Sequence, residues 1–146
     1  MDKNVQDFID GKRIAVLGAS RSGKKFGNSA VTELKQRGYQ VFLVHPEAQE
    51  IGGERCYPSL EALQGQVDGI WICLPPKQSE QALRDAVQAG FDHIWLQQGA
   101  ESSQALATAK ELGVSPVTGK CILMYAQPVG GFHAWHRGFV RLIGKL

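Results

Sequence analysis

Residues 13–25, with the sequence RIAVLGASRSGKK, join a short apolar run to a loop of glycines, serines and cations. The run Ile14–Leu17 is typical of a buried strand, and Gly18 suits the tight turn that follows it. The spacing of the glycines and the first lysine is that of a phosphate-binding P-loop. Lys25, however, stands where that motif needs serine or threonine. The stretch predicts a strand-turn-helix unit whose loop is a candidate anion site.

The alternation of apolar runs and helical segments continues along the chain. Buried strands are predicted at Ile14–Leu17, Val41–Val44, Ile70–Leu74 and Ile94–Leu96, with a weaker one at 115–118. Helices are predicted at Ser29–Arg37, Gln78–Ala89 and Ser102–Leu112, each ending near a glycine. This rhythm predicts an α/β fold with a doubly wound, mostly parallel sheet of five to six strands and helices on both faces.

Length and composition predict one domain over residues 1–146, because 43% of the 146 residues are hydrophobic and no linker or repeat interrupts the pattern. A net charge of +2 without long runs of one sign gives no reason to expect nucleic acid as a partner. No apolar stretch approaches the ~20 residues that cross a bilayer, so no membrane partner is expected. Three widely spaced cysteines form neither a disulfide framework nor a zinc motif. A cytoplasmic protein is therefore expected.

In open parallel sheets, ligands bind beyond the carboxyl ends of the strands, where the strand order reverses. The predicted strand ends carry the segments Gly18-Ala19-Ser20, His45-Pro46, Leu74-Pro75-Pro76 and Gln97-Gln98-Gly99. Each of these four segments contains glycine or proline, which suits tight turns and a close approach of the backbone to a ligand. These segments are the candidate binding site.

The glycine loop admits three interpretations besides a turn with solvated cations. A metal-dependent nucleotide site is disfavoured, because Lys25 would repel the metal. An NAD site lacks the usual glycine spacing, and the second strand ends in His45-Pro46 where an acidic ribose ligand is expected, although Glu47 follows. A metal-free site for a pyrophosphate and an extra phosphate fits Arg21, Lys24 and Lys25 beside a helix N-terminus. Coenzyme A (CoA) carries this pattern of charges.

Six motifs in unbroken order resemble the small CoA-binding protein family, relatives of the N-terminal domain of the succinate–CoA ligase α subunit. They are RIAVLGAS, GYQVFLVHP, GGERCYPSL, WICLPP, WLQQGA and GKCILM, and they span about residues 12–125. The resemblance implies a Rossmann-like fold that binds CoA or an acyl-CoA. It also implies no complete catalytic machinery, because the ligase needs a phosphorylated histidine domain and an ATP-binding subunit.

The resemblance also implies roles for individual positions. Gly18, Ala19, Ser20 and Ser22 resemble the turn that holds the CoA phosphates, with Arg21 or Lys24 as charge partners. Val44, His45 and Pro46 resemble the segment beside the adenosine, where the family usually has Val-Asn-Pro. His45 departs from that pattern, and its charge would vary near neutral pH. Leu74, Pro75 and Pro76 resemble the turn that lines the nucleotide groove, and Gln98 and Gly99 the floor near the pantetheine arm.

Cys121 is the remaining candidate, because the resemblance places it just after the last strand. It follows Lys120, and a neighbouring cation favours a reactive thiol. Cys121 is therefore a hypothetical site for a mixed disulfide with CoA, although an inert, packed cysteine is the more common case. His133 and His136 have helical spacing but no further ligand nearby, so no metal is expected.

The C-terminal segment has its own pattern. Residues of about 132–146 carry apolar side chains at 3,4 spacing and cations every four residues, which predicts an amphipathic helix. Docking on the domain itself is the first interpretation of that helix, and a homodimer contact is the second. Two functional alternatives to CoA binding remain open at this stage: an NAD(P)-binding oxidoreductase or redox sensor, and an interaction protein that has lost its nucleotide.

Overall fold

The computed structural model describes residues 2–126 and contains one sheet of seven strands. The strands are β1 Arg13–Leu17, β2 Gln40–Val44, β3 Glu50–Ile51, β4 Glu54–Tyr57, β5 Gly69–Ile72, β6 Ile94–Gln97 and β7 Val117–Lys120. The helices are α1 Lys3–Asp10, α2 Phe26–Gln36, α3 Pro76–Gln88 and α4 Ser103–Leu112. Short 3₁₀ turns lie at Glu61–Leu63 and Ile122–Met124.

The strand order β3-β4-β2-β1-β5-β6-β7 makes β1 the centre from which the chain winds in both directions. All neighbouring strands run parallel except β3 and β4. The order reverses between β1 and β5, whose register pairs Leu17 with Ile72. The prediction of a doubly wound, Rossmann-like α/β fold is therefore confirmed.

The sheet has more strands than the five to six predicted from the sequence, because β3 and β4 were not anticipated. These strands have two and four residues and carry charged side chains at several positions. Such short edge strands have too few apolar residues to produce a periodic signal. Helix α1 was missed as well; its buried residues are Val5, Phe8 and Ile9.

Two helix starts and one strand end differ from the sequence prediction at the edge where a ligand is expected. Helix α2 begins at Phe26 and α3 at Pro76, earlier than predicted, and strand β5 ends at Ile72. Proline suits the first turn of a helix, because its missing N–H would have no intrahelical partner there. As a result, Cys73, Leu74 and Pro75 form the connection between β5 and α3.

Each face of the sheet has its own core. Trp71 and Trp95 lie fully buried on one face, where Phe8 packs edge-on against Trp95 with ring centroids 5.3 Å apart. Ile72 and Leu96 lie on the other face, beneath the apolar sides of α3 and α4. Burying both faces explains why the strands are continuous apolar runs rather than alternating ones.

Gln97 at the end of β6 connects these layers to the chain that follows β7. Its side-chain Oε1 accepts hydrogen bonds from Trp71 Nε1 at 3.1 Å and from the Ile122 backbone N at 3.0 Å. Gln97 is only 5% exposed, so these hydrogen bonds are shielded from water. The two donors determine which side-chain atom of Gln97 is the oxygen.

Replacing Gln97 with leucine is expected to lower the free energy of unfolding by about 2 kcal/mol, because two buried N–H donors lose their acceptor. Urea unfolding followed by tryptophan fluorescence measures this change. Gln98→Leu is the matched control, since Gln98 is exposed and has no such role. Equal stability of the two variants would contradict the assignment.

Arg37 anchors the end of the described chain to helix α2. Its NH1 group donates to the carbonyl oxygens of Leu123 and Ala126 at 2.7 and 3.1 Å, and its Nε group donates to Glu33 at 3.0 Å. The amphipathic helix predicted over about 132–146, its proposed dimer contact and His133 and His136 lie outside the described residues. Across residues 2–126, none of the helices has the length and apolar character needed to span a bilayer.

Candidate functional site

A groove of about 1130 Å³ lies where the strand order reverses, beyond the carboxyl ends of β1, β2 and β5. One wall is the loop between β1 and α2, and another is the connection from β5 into α3. The segment after β2 and residues 58–61 complete the groove. The groove therefore occupies the edge that the sequence rule for parallel sheets indicates.

The structure brings most of the sequence-predicted residues together in this groove. Those that line it are Gly18, Ala19, Ser20, Arg21, Lys25, Val44, His45, Pro46, Leu74 and Pro75. The others do not line it: Ser22, Lys24, Pro76, Gln98, Gly99 and Cys121. The first group comes from three strand ends that the sheet places side by side, whereas Gln98 and Cys121 belong to the β6 and β7 side.

Hydrogen bonds within the β1–α2 loop hold its shape without a ligand. The Asn28 side chain accepts from the Ser20 N and donates to the Ser20 carbonyl oxygen, both at 3.0 Å. The Ser22 hydroxyl accepts from the Lys24 N at 3.2 Å, and the Ser20 hydroxyl accepts from the Ser22 N at 3.2 Å. The two serines therefore serve chiefly to organise the loop.

The helices that begin at the groove differ from those that begin elsewhere. The first turns of α2 and α3 have no capping side chain at Lys25 or Pro75. By contrast, Asp2 caps α1 and Ser102 caps α4 through side-chain hydrogen bonds. Within residues 2–126, the N–H groups of Phe26 and Gly27 at α2 and of Lys77 at α3 are left for another partner, whereas Asn28 N and Gln78 N donate within the turn to the Lys25 and Pro75 carbonyl oxygens. These ends also carry the positive end of the helix dipole. Two such ends meet at one groove, which suits an anionic ligand.

The charged side chains in the groove are mixed. Arg21 lies 3.4 Å from the carboxylate of Glu47, and both side chains are mainly exposed. Lys25 and Lys77 add cations at the starts of α2 and α3, and Glu61 and Asp85 add carboxylates to the lining. Arg21 and Lys25 both belong to the β1–α2 loop, so phosphate oxygens are favoured there.

His45 closes the turn that follows β2. Its Nδ1 accepts hydrogen bonds from the backbone N atoms of Glu47 at 3.1 Å and Ala48 at 2.9 Å. Its own backbone N donates to the Tyr57 carbonyl oxygen at 3.0 Å, which joins the turn to β4. His45 is half-buried and lines the groove.

Cys73, rather than Cys121, is the cysteine that lines the groove. Burial raises the pKa of the Cys73 thiol to about 11; proximity to Cys121 adds to the rise, and Lys25 opposes it. A thiol with that pKa is protonated at neutral pH and is a poor nucleophile. Cys73 therefore contributes a neutral, half-buried wall to the groove.

Alkylation of Cys73 by iodoacetamide is expected to be slow near neutral pH and to rise about tenfold per pH unit up to about pH 9.5, because only the thiolate reacts. Peptide mass spectrometry after timed labelling measures the rate. The same thiol in urea is the control, since unfolding removes the burial that raises its pKa. A rate that levels off near pH 9 would contradict the assignment.

Several groove residues were not among the sequence candidates. They are Leu17, Phe26, Gly27, Pro58, Ser59, Leu60, Glu61, Cys73, Lys77, Gln78, Gln81, Ala82 and Asp85. Gln78, Gln81 and Asp85 recur at helical spacing directly after a strand end, which is the signal that could have identified them. Residues 58–61 follow β4, the strand that the sequence analysis missed.

Comparison with known proteins relates the chain to one family. A family model described as a CoA binding domain matches residues 12–127. A conserved hypothetical protein from Pyrococcus furiosus has a similar structure, with a TM-score of 0.71 and 39% sequence identity, over 76% of this chain and 96% of that chain. The residues matched by the family model include the strand ends that form the groove.

Larger enzymes also contain a similar segment. An ADP-forming acetate–CoA ligase II from Archaeoglobus fulgidus is 34% identical over 90 residues, which cover 60% of this chain and 13% of the ligase. The α subunit of ADP-forming acetate–CoA ligase II from Pyrococcus furiosus is 27% identical over 126 residues, which cover 79% of this chain and 28% of the subunit. The chain thus spans less than a third of the length of either ligase protein.

Proposed function

The chain belongs to the CoA-binding domain family, and from this premise we propose that its groove binds CoA or an acyl-CoA without a covalent bond. The proposed function is binding rather than turnover. The ligand lies along the carboxyl edge of the sheet, between the β1–α2 loop and the start of α3.

One observation carries the proposal: both helices that begin at the groove lack a capping side chain, and cations stand beside them. Unpaired N–H groups at a helix start bind phosphate oxygens, and the helix dipole adds to the attraction. Arg21 and Lys25 supply positive charge at the same place. A pyrophosphate can therefore be held there without a metal ion.

The neighbouring wall suits the adenosine part of the ligand. Val44, Leu74 and Pro75 present apolar surface to the groove. A groove of about 1130 Å³ slightly exceeds the usual range of roughly 300–1,000 Å³ for small-molecule sites, which suits a long ligand such as CoA. The volume and the apolar wall support CoA over a simple phosphate.

The proposed position of the pantetheine arm follows from the positions of the phosphates and the adenosine. If the phosphates lie at the β1–α2 loop and the adenosine lies against Val44 and Leu74, the arm leaves the β1–β5 edge toward β6. Gln98, Gly99 and Cys121 are the residues on that side, and we keep them as proposed contacts of the arm although they do not line the groove itself. Where the ligand is the disulfide form of CoA, the Cys121 thiolate can attack it to give a mixed disulfide and release one CoA thiol; this exchange is proposed in addition to the reversible binding.

Calorimetry and thermal unfolding with a ligand panel test the proposed function. The panel is CoA, acetyl-CoA, dephospho-CoA, NAD, NADP and ATP. A ligand that binds only the folded protein adds about 2.7 kcal/mol at a hundredfold excess over its dissociation constant. CoA and acetyl-CoA are expected to stabilise the protein most, and dephospho-CoA less, because it lacks one phosphate.

The remaining ligands distinguish the alternatives. Stabilisation by NAD or NADP without an effect of CoA would favour an oxidoreductase or redox sensor, with Glu47 as the ribose ligand. No effect of CoA at millimolar concentration would overturn the proposal and favour an interaction protein that has lost its nucleotide.

A further inference from the structure

The Nδ1 atom of His45 can only be an acceptor in this fold. Two backbone N–H groups, those of Glu47 and Ala48, point at it at 3.1 and 2.9 Å. A proton on Nδ1 would face both donors, so the ring must carry its proton on Nε2. The turn after β2 therefore selects one tautomer of a neutral imidazole.

The Nε2–H group of His45 is left for another partner. Among residues 2–126, it has no hydrogen bond, and the side chain is half-buried in the groove wall. A donor at a groove wall is stabilised by an acceptor atom of a bound molecule. The proposed function places the adenosine against Val44, the residue before His45, so the acceptor nearest this donor is an oxygen or ring nitrogen of the ribose or the adenine.

We infer that His45 binds the ligand as a neutral donor through Nε2–H, and that acid weakens binding by forcing a proton onto Nδ1 and opening the turn. This inference rests on the proposed function. It names the contact of the adenosine end: an acceptor atom of the ribose or the adenine. It also opposes the simpler expectation that a protonated histidine would attract CoA phosphates.

The other titratable groups of the groove do not account for such a pH dependence. Those that line it with His45 are Arg21, Lys25, Glu47, Glu61, Cys73, Lys77 and Asp85, and Tyr57 lies on the strand that pairs with the turn. Carboxyl, ammonium, guanidinium and phenol groups ordinarily titrate outside about pH 5.5 to 7.5. The pKa of Cys73, about 11, lies outside that interval as well.

The direction of the pH effect on ligand binding follows from the hydrogen bonds of the turn after β2. The ordered turn needs the neutral ring, so its contribution to binding is present at and above neutral pH. It is lost as the pH falls and the imidazole takes up a proton. A phosphate of the ligand titrates in the same interval, which makes a comparison between variants necessary.

The substitution His45→Asn distinguishes the role of the Nδ1 acceptor from that of the Nε2–H donor. The asparagine Oδ1 can accept from the same backbone N–H groups, as in an Asx turn, and no titration occurs. Its own donor, Nδ2–H2, takes the place of the ring Cδ2 and ends one bond short of the Nε2 position, so the contact made by Nε2–H is lost. The variant is therefore expected to keep the thermal midpoint of the ligand-free protein. At pH 7.5 it is expected to bind CoA about fivefold more weakly, which corresponds to one hydrogen bond.

Calorimetric titration of CoA into both proteins at about pH 7.5 and 5.5 measures the effect, since the ligand's own titration is common to both. The advantage of the wild type over His45→Asn is expected to shrink to about twofold or less in acid. An advantage that stays constant or grows on acidification would overturn the inference while the proposed function stands. Failure of CoA to bind the wild type at either pH would overturn both.

Histidine side-chain nitrogen NMR on the ligand-free wild type supplies a readout that does not depend on CoA. The expected spectrum at pH 7.5 shows His45 protonated at Nε2 and unprotonated at Nδ1. A proton on Nδ1 would overturn the inference directly.

Discussion

Replacing Arg21 and Lys25 together with glutamine is expected to weaken CoA binding about 50-fold at low salt. Each cation is assigned one charge-assisted contact with a phosphate oxygen, worth about 1 to 1.5 kcal/mol after allowance for solvent exposure. The two losses together correspond to that factor. Calorimetry at low ionic strength measures it.

The matched control is Lys24→Gln, which removes the same charge from the same loop. Lys24 does not line the groove, so this variant is expected to bind CoA within about threefold of the wild type. The double variant should also show a flatter dependence of affinity on salt, because screening acts on the charges that were removed. A loss with Lys24→Gln as large as that of the double variant would show that only the net charge of the loop matters.

Gly18→Ala is expected to lower the free energy of unfolding by about 4 kcal/mol. Gly18 has φ +132°, a backbone conformation that side chains disfavour. A β-carbon there would also overlap the carbonyl oxygen of Cys73 and lie 2.7 Å from its carbonyl carbon. These are backbone atoms at the central β1–β5 pair, where the Cys73 N donates to the Leu17 oxygen at 2.7 Å, so they cannot easily move away.

Gly23→Ala isolates the conformational part of that cost. Gly23 also has a positive φ, +72°, but an added β-carbon would meet no atom within 4 Å. The expected loss is about 1 kcal/mol, so the two variants should differ by about 3 kcal/mol in urea unfolding. Equal losses would mean that the β1–β5 edge can adapt to a side chain at Gly18.

Helix and strand positions near the centre of the sheet were predictable because both faces are buried. The runs at β1, β2, β5 and β6 are continuous and apolar, and a strand with two buried faces needs such a run. Each predicted strand overlaps an observed one. Strands β3 and β4 lie at one side of the sheet, where backbone hydrogen bonds to a neighbour stabilise a segment without a strong hydrophobic pattern. Helix α1 buries Val5, Phe8 and Ile9, but its eight residues give only a short helical pattern.

The candidate site was predictable where it consists of strand ends. Gly18, His45, Leu74 and Pro75 follow directly after apolar runs, and the parallel sheet places those ends at one edge. Lys24, next in sequence to groove-lining Lys25, does not line the groove. Which side chains of a tight loop face the groove depends on the path of its backbone, and a linear motif does not specify that path.

The order of apolar runs and glycines by itself determined the fold class, the edge of the sheet that forms the groove, and the family resemblance. These properties depend on local patterns repeated along the chain. Only the tertiary structure decided that Cys73 rather than Cys121 lines the groove and that His45 presents Nε2–H. Both results depend on atoms far apart in sequence, or on backbone N–H directions, which arise only when the strands and turns pack against one another.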